Sequence, residues 1–155
     1  MKKLDLIYDF VIKEIASFDD VAKLAKDKWD NEIGSMKPSF FPQVGDVMEV
    51  YKAPKNGHTP NTHDCIKLLS KRGLFLPNVQ GLIILESIDL LHEFLQNEIW
   101  VMGIDYTHHL NFRKAFGHLV PYLKKNEGGD YIYGWFPYGS RLDQDEMIFG
   151  FRRNE

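Results

Sequence analysis

Cysteine is nearly absent from this chain of 155 residues, since Cys65 is the sole example. A lone thiol excludes an intramolecular disulfide and every zinc site built on several cysteines, and it fits a reducing compartment, so a cytoplasmic location is expected. Long apolar runs are missing as well. The N-terminal stretch begins with two lysines and an apolar series, but Asp5, Asp9, Lys13 and Glu14 interrupt it, and no secretion signal is expected. No charge-free apolar run approaches the roughly 20 residues that a membrane-spanning helix needs. Positive charge is scarce too: 19 Lys and Arg against 22 Asp and Glu leave a net charge of −3, and the basic pairs Lys124-Lys125 and Arg152-Arg153 are too short to reverse it. That balance argues against nucleic acid and against an anionic membrane as partners. Also lacking are a Walker A loop, a GxGxxG turn, a GxSxG elbow and an HExxH helix, which weakens the commonest enzyme classes.

What remains is the composition of a globular protein. Hydrophobic residues at 44% exclude a disordered chain, while charged residues at 26% supply a solvated surface. A chain of this length buries roughly two thirds of its unfolded surface without disulfides or metal, so no cofactor is expected. There is no internal repeat, low-complexity tract or linker-like shift, which favours a single domain over residues 1–155.

Hydrophobic spacing sets the expected elements. Leu4, Ile7, Val11 and Ile15 recur at three and four residues and predict an amphipathic helix. Ser17, Asp19 and Asp20 offer N-caps for a second helix that carries Val21, Leu24, Trp29 and Ile33 inward and stops at Gly34. The two helices together make a helical hairpin. A connector with two prolines follows, then a strand from Val47 and a turn-rich loop, KAPKNGHTPN. Thr62 opens a short helix with Ile66 and Leu69 inward that closes at Gly73. The densest apolar stretch, 73–105, reads as strand over 79–85, helix after Ser87 with Leu91, His92 and Leu95 in its stripe, and strand over 99–104. Three strand-like runs at 118–124, 131–138 and 146–152 are separated by turn-rich segments and predict an antiparallel meander. The expected architecture is α+β: an N-terminal helical hairpin packed on a mixed, mainly antiparallel sheet, with a central strand-helix-strand unit and a C-terminal β-meander.

Three groups of residues carry possible chemistry. His58 and His63, beside Asp64 and Cys65, are candidate metal ligands, although their spacing matches no established site and the bland alternative is a polar loop entering a helix. Asp105, His108 and His109 would share a helical face if the chain coils there, which suits an aspartate-oriented imidazole acting as a general base; no paired nucleophile accompanies them. Tyr131, Tyr133 and Trp135 alternate along one strand face, with Tyr138 just beyond and Asp143 and Asp145 in the following turn. Such rings either fill a core or form a binding surface, where Tyr and Trp concentrate. These features point to a small protein-binding module, of inhibitor or immunity type, that covers a protein partner with the aromatic meander and its acidic turns. The alternative is a hydrolase-like enzyme using the Asp/His cluster or a His-bound metal, and self-association stays open.

Overall fold

The segment MIFGFR near the C-terminus is apolar on both faces of an extended chain, and only the interior of a sheet satisfies such a segment. In the computed structural model, which describes residues 5–29, 40–52, 62–77, 79–87, 101–102, 119–125, 128–137 and 147–154, it is a central strand. The elements in chain order are β1 (Asp5–Val11), α1 (Phe18–Trp29), β2 (Val47–Lys52), α2 (Thr62–Lys71), α3 (Val79–Glu86), β3 (Val101–Met102), β4 (Leu119–Lys125), β5 (Tyr131–Pro137) and β6 (Met147–Arg152). Among the described residues the strands form one sheet in the order β1-β2-β6-β3-β4-β5. Every pairing is antiparallel except β3 with β6, so the chain is α+β with a mixed, mainly antiparallel sheet.

Alternation along the strands divides the interior in two. Met48 and Val50 of β2, Leu123 of β4, and Met147, Phe149 and Phe151 of β6 point to one face, where Val21, Ala25 and Trp29 of α1 and the buried stretch of α3 cover them. Gly81 lies against that face, where a Cβ would be in ordinary contact with the Phe151 and Phe149 rings at 3.4 and 3.5 Å but would clash with Pro77 Cβ at 2.4 Å. Tyr51 and Ile148 point to the other face and are fully buried, as are Cys65 and Leu69 of α2, which packs on β6 there.

Local signals explain several element ends. Ser17 caps α1, its Oγ accepting a bond of 3.2 Å from the Asp20 amide, and acidic residues in the first turn and lysines in the last suit the helix dipole. Beyond α2, Gly73 takes a φ of 77°, the Leu74 amide bonds to Leu69 O and the Gly73 amide to Ser70 O, which is the Schellman ending that a glycine permits. A tight turn with Gly45 at φ 99° delivers the chain into β2.

Four expectations are corrected. Residues 5–11 form strand β1 and not a helix, so α1 stands without an N-terminal hairpin partner; Tyr8 and Phe10, two apart, place their rings 5.4 Å from each other on one strand face. Val21 and Trp29 point inward as expected, but Leu24 points outward, 47% exposed, and Ala22 and Ala25 complete the buried positions of α1. Residues 79–85 belong to helix α3 and not to a strand, and Ser87 closes that helix by donating from Oγ to Ile84 O at 2.6 Å. A run buried on all sides has no periodicity to separate helix from strand. The meander reduces to a β4–β5 hairpin, because β6 leaves it to lie between β2 and β3. Of the expected strand over 99–104, Val101 and Met102 form β3, while the expected helix with His92, the end of α1's extension at Ile33 and Gly34, and the loop after β2 lie outside the described residues.

Candidate functional site

Among the described residues, the aromatic strand β5 is an edge of the sheet. Pairing with β4 runs without a break from Lys125 opposite Tyr131 to Leu119 opposite Pro137, after a turn in which Gly129 takes a φ of 87°. Tyr131 and Tyr133 share a face with Leu123 and lie half-buried at the margin of the core under α1 and α3. The Tyr133 ring meets Trp29 edge to face at 5.0 Å, Lys28 Nζ lies 5.0 Å from its centroid, and its hydroxyl donates to Glu86 Oε1. Trp29 Nε1 donates to Gly134 O at 3.0 Å, which ties the end of α1 to this edge. On the opposite face Gly134 leaves room for the ring of Tyr122, its cross-strand partner, since a Cβ would sit 2.5 Å from that ring's far end.

Burial, reinforced by the hydrogen bond and charge of Glu86, raises the Tyr133 pKa, and burial followed by the Glu86 charge raises that of Tyr131. Neither ring ionises near neutral pH. The Tyr133 hydroxyl is thus a protonated hydrogen-bond donor to Glu86, not a base or nucleophile. Glu86 ends α3, where the helix dipole disfavours a carboxylate, and the Tyr133 hydroxyl offsets that cost.

A second polar cluster lies where α2 crosses β2 and β6. Glu49, 9% exposed, accepts from Tyr51 and from Arg152 Nε at 2.5 Å, and Arg72 Nε donates to the Tyr51 hydroxyl at 2.8 Å. Burial alone would raise the Glu49 carboxyl, but the bonds from Tyr51 and Arg152 and the charges of both arginines outweigh it and hold the pKa below the ordinary 4.5. Burial, with the Glu49 bond behind it, pushes Tyr51 up to about 12. Nearby, buried Asp46 accepts from Arg153 Nη1 at 2.7 Å and from the Gln43 amide at 2.9 Å. Each carboxylate sits beneath a guanidinium that reaches outward.

A half-open cleft of about 370 Å³ runs between the end of the β1–α1 connection, α1 and α3, lined by Glu14, Ile15, Val21, Leu24, Ile83 and Ser87 among others. Its size lies within the range of small-molecule pockets, roughly 300–1,000 Å³. The walls are aliphatic and Ser87 is committed to Ile84 O, so Glu14 is left as the charged group that could orient a ligand.

Of the residues singled out from sequence, Tyr131 and Tyr133 come together on β5 with Trp135 in the same strand. His63 lies in α2, two residues before buried Cys65. Asp105, His108, His109, His58, Tyr138, Asp143 and Asp145 lie outside the described residues. Among the described residues no group of three or more His, Cys, Asp or Glu side chains is placed to hold a metal ion, and no helix is long and apolar enough to cross a membrane. Sequence reasoning missed Glu86 as the partner of Tyr133 and the Glu49–Tyr51–Arg72–Arg152 cluster. For the cluster a signal existed, because Glu49 and Tyr51 sit two apart in an otherwise apolar strand and share a face. Comparison with protein-family models, curated proteins and solved structures finds no match.

Proposed function

We propose that the chain is a small protein-binding module, of inhibitor or immunity type, and that β5 is the strand it offers to a protein partner. The observation that carries this reading is the contrast between β1 and β5, the two outer strands of the sheet among the described residues. On β1 the pairing shifts register between Leu6 and Tyr8, and Asp5 and Asp9 place charge along the strand. Bulges and charges are the means by which edges avoid accidental pairing. On β5, seven residues from Tyr131 to Pro137 run in unbroken register with no charged residue. An edge of that kind suits addition of a partner strand, with main-chain bonds giving affinity and side chains giving selectivity.

Tyr133 then acts as an anchor preset from behind by Trp29, Glu86 and Lys28, which lowers the entropy lost on binding, with half-buried Tyr131 beside it. Trp135 follows in the same strand, and Tyr138, Asp143 and Asp145, outside the described residues, are proposed to add an aromatic group and negative charge toward basic groups on the partner. A cytoplasmic setting fits the single, buried thiol.

The test introduces a charge on the edge without removing an anchor. Ile132 is half-buried on the face away from Tyr133 and stands opposite Lys124, so Ile132→Glu creates a favourable cross-strand pair while charging the edge. Capture from an extract of the source cells, followed by hydrogen exchange on the isolated complex, reads the result. The wild type is expected to retain a partner and to show slowed exchange of β5 amides, and the variant to lose the partner while keeping its melting temperature. A partner held equally by Ile132→Glu, or β5 amides that exchange unchanged in the complex, refutes the assignment.

A further inference from the structure

Two prolines fix how the β4–β5 ladder is wired. In an antiparallel ladder, pairs that exchange both backbone bonds alternate with pairs that exchange none, and a proline has no amide hydrogen to give. Pro121 stands opposite Trp135 and Pro137 opposite Leu119, so both fall in the set of pairs that also holds Tyr133 with Leu123 and Tyr131 with Lys125. That set is therefore the non-bonded one. The bonds across β4–β5 belong to Ile132, Gly134 and Phe136, while the backbone groups of Tyr131, Tyr133 and Trp135 point away from β4, out of the edge. Trp29 leaves those outward groups alone, because its indole shares the carbonyl of Gly134, which already serves β4. Among the described residues no other backbone group meets these three.

The wiring also decides which side chains a visiting strand meets. Successive residues of a strand alternate between faces, and Tyr131 and Tyr133 share the face of buried Leu123, the side covered by α1 and α3. A strand that bonds to Tyr133 lays its own opposing side chain on that same face. There it meets the end of α1, where Lys28 is exposed and its Nζ lies 5.0 Å from the Tyr133 centroid. Lys125 stands opposite Tyr131 on this face. The margin thus sets Lys28 and Lys125 against Glu86, whose carboxylate the Tyr133 hydroxyl already engages.

We infer, on the reading that β5 docks a partner strand, that this strand is an antiparallel segment with an acidic side chain opposite Tyr133. Tyr131, Tyr133 and Trp135 supply its rungs, and Lys28 selects the carboxylate. Antiparallel addition is the more stable per residue, and it sets one residue of the visitor directly across from Tyr133, exchanging both bonds with it. The net charge of −3 opposes long-range attraction of an acidic segment, so the selection is local and salt-sensitive.

The experiment follows the backbone amides of the isotope-labelled full chain by NMR. In the free protein the amides of Ile132, Gly134 and Phe136 are expected to exchange slowly and those of Tyr131, Tyr133 and Trp135 fast. The probes are the peptide acetyl-Thr-Val-Glu-Val-Thr-amide and its counterpart with lysine at the centre. At low salt the glutamate peptide is expected to shift the three outward amides and to bind about fivefold tighter than the lysine peptide, a preference that falls below about twofold in Lys28→Gln. An inverted exchange pattern, a lysine peptide that binds as tightly, or an undiminished preference in Lys28→Gln overturns the inference and leaves β5 as the docking strand. A glutamate peptide that moves none of the three amides overturns it too; if the native partner also leaves β5 exchange unchanged, the docking reading falls with it.

Discussion

Tyr51→Phe removes one oxygen from a fully buried position, and the structure sets both its cost and the pH at which that cost is felt. The hydroxyl donates to Glu49 and accepts from Arg72, whose exposed side chain can regain water when the bond is lost. Glu49 cannot, being 9% exposed; it keeps only the bond from Arg152. A hydrogen bond to a charged group contributes about 1.5–3 kcal/mol, so the variant should lose about 2 kcal/mol at neutral pH. The Glu49 pKa is depressed in the folded state, and the ionised carboxylate therefore contributes stability above the ordinary 4.5 that is lost as pH falls through the lower folded-state value. Below that value a protonated Glu49 makes only a neutral bond with Tyr51, and the difference between wild type and variant should shrink to about 1 kcal/mol or less. Urea unfolding of both proteins, at neutral pH and again well below the Glu49 transition, measures the two gaps. Equal gaps at the two pH values, or no gap at neutral pH, would refute the view that the hydroxyl acts through the ionised carboxylate.

Three further substitutions separate packing from propensity. Gly81→Ala should gain about 1 kcal/mol of helix propensity but lose about 3 to overpacking, a net cost near 2 kcal/mol in denaturant unfolding, because the new Cβ falls 2.4 Å from Pro77 Cβ on a ring that cannot rotate away. Gly134→Ala meets a similarly short contact of 2.5 Å, yet its neighbour is the far end of the Tyr122 ring, which can swing aside, so the cost should stay within about 1 kcal/mol by the same assay. Ser17→Ala removes the cap on the Asp20 amide and should lower stability by about 1 kcal/mol, read as a small fall in melting temperature.

The parts of the fold legible in sequence are those written in local chemistry. Ser17 and Gly73 mark real helix ends, Val47 opens a real strand, and the glycines before Asp130 turn the β4–β5 hairpin. Misreadings arose where two periods coexist or none does. In the sequence around β1 the apolar residues Leu4, Ile7 and Val11 satisfy a helical spacing while Leu6, Tyr8 and Phe10 satisfy a spacing of two, and the pairing of 5–11 with β2, continued by bonds between Ile12 and Asp46 and between Gly45 and Ile12, decides for the strand. In α3 burial on every side erases the period. Glu86 gave no signal at all as a site residue, since its meeting with Tyr133 spans 47 positions and depends on how α3 lies over the sheet.

One topological fact underlies the proposed edge surface, and the sequence did contain its cause. A meander would seat β6 against β5, closing the aromatic edge and leaving MIFGFR with one face and one flank to water. Five of the six residues in β6 are instead buried, and a strand apolar on both faces gains most between two others with helices above and below. β5 ends in Pro137, a residue confined in sheets to edges, strand ends and bulges, and its Gly134 weakens any interior role. Moving β6 to the centre therefore satisfies both strands at once. It leaves β5, among the described residues, as an uncharged edge. That edge would not exist in the meander that strand spacing alone suggests, so it rests on the long-range choice made by the apolar residues of β6.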